Sequence, residues 1–135
     1  MTNEELMRLA VLARENAYAP YSGFRVGAAL LARDGRVFGG CNIENAAYSP
    51  TNCAERTAIF KAVSEGVREF TAIAIVGGKG DELSPLCAPC GVCRQVLLEF
   101  CPPSMPVLLG TPDNIEETTL SALVPYAFGK GDLTE

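Results

Sequence analysis

Two short segments carry the residues most able to do chemistry: Asn52-Cys53-Ala54-Glu55-Arg56 and Pro89-Cys90-Gly91-Val92-Cys93-Arg94. Together they offer three thiols, one carboxylate and two guanidinium groups. Three ligands leave one position of a tetrahedral zinc ion open for water, and a nearby Glu outside the ligand set can move that water's protons. This is the arrangement of a catalytic metal site. The sequence contains no histidine, which excludes Ser-His-Asp and Cys-His catalysis and leaves sulfur and oxygen as the metal ligands.

Spacing decides how these groups meet. Cys90 and Cys93, three apart at the start of a helix, share a face, and a Cys at the start of another helix joins them if the two N-termini converge. Helix N-termini favour anions and a dication favours them more, so all three thiols are expected to ionise at neutral pH. Residues two apart on a regular helix point to nearly opposite sides, so Cys53 and Glu55 address one point only if Cys53 is a cap with non-helical dihedrals. Three thiolates on Zn²⁺ leave a net charge near −1. Arg56 and Arg94 are placed to offset it by hydrogen-bonding a thiolate, the alternative being that both are ordinary surface arginines. Cys87-Ala88-Pro89-Cys90 adds an overlapping C-x-x-C, and spacing alone leaves Cys87 with Cys90 open as the ligand pair. The proline before Cys90 and the helical run after Cys93 favour Cys90 with Cys93, with Cys87 a free thiol near the site.

The elements that must position these residues are legible from periodicity and breakers. Thr2 with Glu5 is a capping box, and Leu6, Leu9, Ala10, Ala13 and Ala17 recur at helical spacing, predicting a helix over 3–17 stopped by Pro20. Residues 24–31 and 36–40 read as a β-hairpin around Arg33-Asp34-Gly35. Residues 41–52 turn polar and small, a loop suited to holding a substrate. A helix is expected over 53–65 with Gly66 as its stop, a central strand over 71–76, and a mobile glycine-rich stretch over 77–85. A third helix opens at the cysteines and ends at Pro102-Pro103. A buried strand over 106–110, an edge strand over 115–118 and a short helix over 120–124 complete the pattern. A hairpin followed by alternating helices and strands implies an α/β fold with a mixed sheet between helices, in one domain spanning 1–135.

Composition narrows the partners. A net charge of −5 provides no footprint for nucleic acid or an anionic membrane surface. No apolar run reaches the ~20 residues that span a bilayer. Met1 to Glu5 contains neither a basic n-region nor an apolar h-region, so a cytoplasmic protein with six reduced cysteines is expected rather than a disulfide framework. Cys41 and Cys101 read as buried small hydrophobes. With 48% apolar residues the chain is rich for its surface, which points to burial between subunits.

Cys53-Ala54-Glu55 followed by Pro89-Cys90-Gly91-Val92-Cys93 resembles the zinc-dependent nucleoside and nucleobase deaminase superfamily. Cys in place of the His of H-x-E resembles its small homotetrameric cytidine deaminases. Ala19-Pro20-Tyr21-Ser22-Gly23-Phe24, Val26 to Leu30, Gly40 to Tyr48, Cys53 to Ala58 and Cys93 to Leu97 extend the resemblance along essentially the whole chain. It implies a three-layer α-β-α sandwich around a mixed five-stranded sheet, one zinc per chain on Cys53, Cys90 and Cys93, and a homotetramer with shared sites.

The resemblance also implies a reaction, hydrolytic removal of the 4-amino group of cytidine or deoxycytidine in pyrimidine salvage. Zinc would activate water toward C4, and Glu55 would carry protons to N3 and to the departing amine. It places Asn42 and Glu44 at the ribose hydroxyls, Phe24 beside the nucleoside and the Ala54 backbone at the pyrimidine edge. Ala46, Tyr48 and Phe128 match positions given to a neighbouring subunit's site. Phe24 and Phe128 as plain core aromatics, and Asn42 and Glu44 as turn or capping residues, are the alternatives. Two other functions compete: deamination of another amino-pyrimidine such as a nucleoside antibiotic, and a structural zinc module closed by a fourth cysteine.

Overall fold

The structure, a computed structural model, describes residues 1–134. The first helix, α1 (Asn3–Arg14), opens with the expected capping box: the Thr2 hydroxyl accepts from the Glu5 amide, and the Glu5 carboxylate accepts from the Thr2 amide at 2.7 Å. It ends three residues before the predicted Ala17. Asn16 and Ala17 donate in tighter turns to Ala13 and Arg14, and the Tyr18 amide is drawn off to the Asn42 carbonyl. A tertiary bridge between Tyr18 and Ile43 thus ends the helix before Pro20 does.

Strands β1 (Phe24–Ala32) and β2 (Val37–Cys41) form the predicted hairpin, and Gly35 at its turn has φ of 96°. Helix α2 (Ala54–Ser64) is followed by Gly66 at φ 90°, the left-handed geometry expected of a helix stop. Then come β3 (Phe70–Lys79), α3 (Gly91–Phe100), β4 (Pro106–Thr111), β5 (Asn114–Thr119), α4 (Leu120–Leu123) and α5 (Gly131–Thr134). The five strands lie in the order β2-β1-β3-β4-β5, with β3 and β4 parallel and the other pairs antiparallel.

The sheet is covered on both faces, which is why its central strands read as nearly continuous apolar runs. Ala74 and Val76 of β3, with Ala29 and Leu108, pack with Leu6, Met7 and Ala10 of α1. The alternate residues Ile73 and Ile75, with Ala28, Leu30 and Val107, pack with Ala58, Ile59 and Ala62 of α2 and Leu97 of α3. The result is the expected α-β-α sandwich around a mixed five-stranded sheet.

The glycine-rich stretch corrects the sequence expectation. β3 continues through Gly77, Gly78 and Lys79, which pair with Val26, Arg25 and Phe24, and both glycines are buried. They lack side chains because chain lies against them: a Cβ on Gly77 would stand 2.6 Å from Cys87 Sγ, and one on Gly78 would meet the backbone of Glu82 and Ser84. Glycine here marks close approach and not mobility.

Gly40 of β2 has the same role toward α2. A Cβ there would collide with the Ala54 carbonyl and stand 2.6 Å from the Ala58 amide nitrogen, so its absence seats the first turn of α2 on the sheet. Gly39→Ala would meet the Ala13 methyl at 3.4 Å and the Ala28 carbonyl oxygen at 4.0 Å, both ordinary contacts. Gly40→Ala is therefore expected to lower stability by about 1–3 kcal/mol as an overpacking change. Gly39→Ala should cost less, and urea unfolding midpoints of the two variants check the order.

Candidate active site

The site forms where α2 and α3 begin. Cys53 and Cys90 are the N-caps of the two helices, both extended, with φ/ψ of −80°/157° and −70°/168°. Neither sulfur caps its own helix, so both are free to face a common point. Cys93, in the first turn of α3, is fully buried. The Sγ atoms of Cys53, Cys90 and Cys93 lie within 4.8 Å of one another, and Cys53 and Cys90 are 3.8 Å apart.

That spacing suits a metal. Two sulfurs each about 2.3 Å from a tetrahedral zinc stand about 3.8 Å apart, whereas a disulfide requires about 2.05 Å. The charges agree with the spacing. Hydrogen bonds, first from Cys93 and then from Arg56 and Cys90, pull the Cys53 thiol down to about 5 against its burial. Cys93 is pushed up, first by its bond to Cys53, then by burial and by the charge of Glu55. The two sulfurs compete for one negative charge, and a dication between them would let both ionise.

Arg56, on the first turn of α2, donates from Nη2 to Cys53 Sγ at 3.2 Å. The bond to Cys53, with a further contribution from Cys93, holds its guanidinium above the usual arginine range. Its Nε is buried without a hydrogen-bond partner among the described residues. Arg94 is neither a thiolate partner nor an ordinary surface arginine: it donates to the carbonyls of Pro89 at 2.7 Å and Leu123 at 2.9 Å. Those bonds fasten the turn before Cys90 to the last residue of α4.

Glu55 is 4% exposed. Burial raises its carboxyl to about 7 and the nearby Cys53 adds to the rise, while its own backbone N–H and Arg56 oppose it. Cys87 lies outside the sulfur cluster, half-buried against Gly77. Its thiol is pushed up to about 11 by burial and then by the charges of Glu55 and Cys53, so it remains protonated at neutral pH. Cys101 is buried as expected, whereas Cys41 is only partly so.

The remaining candidates divide into two groups. Phe24, Asn42 and Glu44 lie at the entrance to β1, and Ala54 opens α2 against Gly40. Asn42 is buried, accepting from the Val26 amide and donating to the Phe24 carbonyl, both at 2.8 Å. The Glu44 carboxylate accepts from the amides of Tyr21 and Ser22 at 3.0 and 3.1 Å and from the Ser22 hydroxyl, and that last bond most lowers its pKa. Both side chains therefore hold the 21–26 backbone. Ala54 is fully buried, and the Phe24 ring lies beside Gly77. Ser22 was missed as a partner of Glu44, although its place in Tyr21-Ser22-Gly23 was visible.

Ala46, Tyr48 and Phe128 form the second group, all exposed, Tyr48 by 73% and Phe128 by 59%. Tyr48, at φ 62°, meets Tyr21 edge-on at 6.4 Å. A cleft of about 330 Å³ opens there, lined by Tyr21, Ser22, Glu44, Asn45, Tyr48 and Thr51. Among the described residues no hydrogen bond ties Ala46, Tyr48 or Phe128 to the cysteine group.

A sequence model of the cytidine and deoxycytidylate deaminase zinc-binding region matches residues 1–109. The chain belongs to that family. A cytidine deaminase of Sporosarcina psychrophila is 58% identical over 135 residues, covering 99% of this chain and 96% of that protein. One of Halalkalibacterium halodurans is 52% identical over 136 residues, covering 100% of both. The crystal structure of cytidine deaminase from Burkholderia pseudomallei superposes with a TM-score of 0.88 at 50% identity, covering 95% of this chain and 100% of that one. Membership of a zinc-binding family accords with the three-sulfur cluster, and the superposition accords with the sandwich.

The raised Glu55 carboxyl predicts a pH-dependent stability in the reduced, zinc-free protein. The folded state keeps a proton that the unfolded chain releases above about 4.5, so this contribution is present below that pH and lost as pH rises to about 7. Glu55→Gln escapes the loss. Its stability relative to the unmutated protein should grow across that window and level off near an advantage on the order of 3 kcal/mol, read from denaturation at several pH values.

Proposed function

We propose that this chain is a zinc-dependent cytidine deaminase that hydrolyses cytidine and deoxycytidine to uridine and deoxyuridine with release of ammonia. The carrying observation is the buried Glu55 carboxyl, held near neutrality beside three convergent sulfurs. Cys53, Cys90 and Cys93 would hold one zinc ion. When bound, zinc supplies a Lewis acid that activates water for attack on C4.

Glu55 accepts a proton from the water, delivers it to N3, and carries the second proton to the departing amino group. A carboxyl titrating near 7 gives and takes a proton at little cost in either direction. Arg56 withdraws charge from Cys53 and offsets the surplus of three thiolates. The Ala54 backbone faces the pyrimidine edge, Phe24 lines the pocket wall, and Asn42 and Glu44 present a carbonyl and a carboxylate to the ribose diol. Both side chains are already fixed by the 21–26 backbone, so the ribose would meet acceptors that need no reordering.

The exposed Ala46, Tyr48 and Phe128 fit a site completed by a neighbouring copy, and we assign a homotetramer of single-domain chains acting in the cytoplasm in pyrimidine salvage. No described helix is long and apolar enough to cross a membrane. A structural zinc module gives no reason for burying an unpaired carboxylate beside the sulfurs, and Cys87 stands outside their cluster. Deamination of an amino-pyrimidine antibiotic uses the same centre and is distinguished by substrate.

Two measurements test the assignment. Glu55→Gln should retain one zinc per chain and lose about 10²–10⁴-fold in kcat on cytidine, followed by ultraviolet absorbance, and an unimpaired variant would overturn the mechanism. Mixing Glu55→Gln with Phe128→Ala subunits should recover activity above the sum of the two parents if sites are shared. Light scattering that finds a fully active monomer would refute the sharing.

A further inference from the structure

Arg14 is the most deeply buried arginine that the proposed chemistry does not use, 6% exposed at the end of α1. Among the described residues its guanidinium forms no ion pair and bonds only main-chain carbonyls. Nε donates to Arg25 at 2.8 Å, and Nη2 lies 2.8, 2.7 and 3.0 Å from the carbonyl oxygens of Gly78, Gly80 and Glu82. Arg25 reciprocates, bonding the carbonyls of Arg14 and Glu15 at 3.3 and 2.8 Å. A cation that gathers carbonyls from both sides of a bend fixes the path of the chain whatever its side chains are.

The bend leads directly to the site. Beyond it the Ser84 amide returns to the Gly77 carbonyl at 2.7 Å, and the chain then brings Cys87 against Gly77, whose other neighbour is the Phe24 ring. Gly77 and Phe24 lie on the face of the sheet that carries α2 and α3, while Gly78 turns toward α1 and Arg14. The wall of Phe24, Gly77 and Cys87 is close enough to Glu55 for that carboxylate to act on the Cys87 thiol.

We propose that Arg14 is a positioning residue for the nucleoside pocket: by holding the 78–82 bend it sets Cys87 against Gly77 and Phe24 and so fixes the pocket wall. This rests on the deaminase reading above. A wall that contacts the nucleoside alike before and during reaction affects KM more than kcat.

The test uses zinc-loaded Arg14→Lys, which keeps charge and bulk but cannot fork across the bend, beside Arg14→Ala. For Arg14→Lys, KM for cytidine should rise about tenfold with kcat within about threefold and one zinc per chain retained. Millimolar guanidinium should lower the KM of Arg14→Ala. A lowered melting temperature with unchanged KM would overturn the proposal.

Alkylation of Cys87, followed by peptide mass mapping, supplies a readout independent of turnover and should be about tenfold faster in Arg14→Lys than in the unmutated protein. An unchanged rate would also overturn the proposal. Absence of cytidine turnover in the unmutated protein would count against the deaminase reading alone, leaving the alkylation rate to decide on Arg14.

Discussion

The structure depends on bringing three thiols and a carboxylate together where two helices begin. Three thiols within 4.8 Å of one another and a buried carboxyl that feels their charge repel once ionised, and the chain offsets this with the positive ends of α2 and α3 and with Arg56. These are partial compensations. The opposite displacements of Cys53 and Cys93 show one charge contested between two sulfurs, and the climb of Glu55 to about 7 shows a carboxylate that burial disfavours. Cys53, Cys90 and Cys93 would hold a divalent cation that relieves the contest, while the burial of Glu55 is the condition for a carboxyl that exchanges protons near neutral pH.

Topology is what makes the two helix starts meet. The parallel pair of β3 and β4 requires a crossover, and α3 supplies it, beginning beyond the C-terminal end of β3. α2 follows β2 at the same end of the sheet after a loop that is itself tied down, Ile43 bridging both Tyr18 and Asn52. Gly40 then lets the first turn of α2 lie on the strand closely enough to bring Cys53 and Glu55 to the cysteines of α3. The site is therefore a product of close approach at small residues as much as of the reactive side chains themselves.

Much of this was legible because periodicity and caps are local. The Thr2–Glu5 box, the Asp34-Gly35 turn, the Gly66 stop and the cap position of Cys53 follow from residues within a few positions of each other, and each appears where expected. What escaped depends on contacts between distant segments. Arg14 falls at the end of a helical pattern where arginine normally meets water, and nothing local reveals that four carbonyls converge on it. Arg94 stands next to Cys93 as Arg56 stands near Cys53, but the carbonyls of Pro89 and Leu123 claim its guanidinium. Gly77 and Gly78 carry the composition of a mobile loop, and only their pairing with β1 and the approach of Cys87 and Glu82 show them to be strand.

One contrast bears on how the site is kept dry. Cys93 is fully buried, while Cys90, on the same helix and in the same cluster, is exposed. The cluster is sealed from the side of the sheet and open on the other. Val92 between them is 56% exposed, an apolar group standing in water beside the open side. Gln95 on α3 donates to the Phe128 carbonyl, which carries the exposed Phe128 along the same helix. Val92 and Phe128 stand in solvent on and against the helix that carries Cys93, and burial against a second copy of the chain would cover them. Such burial would act on the exposed Cys90 side of the cluster, since Glu55 is already buried and held near neutrality within the single chain.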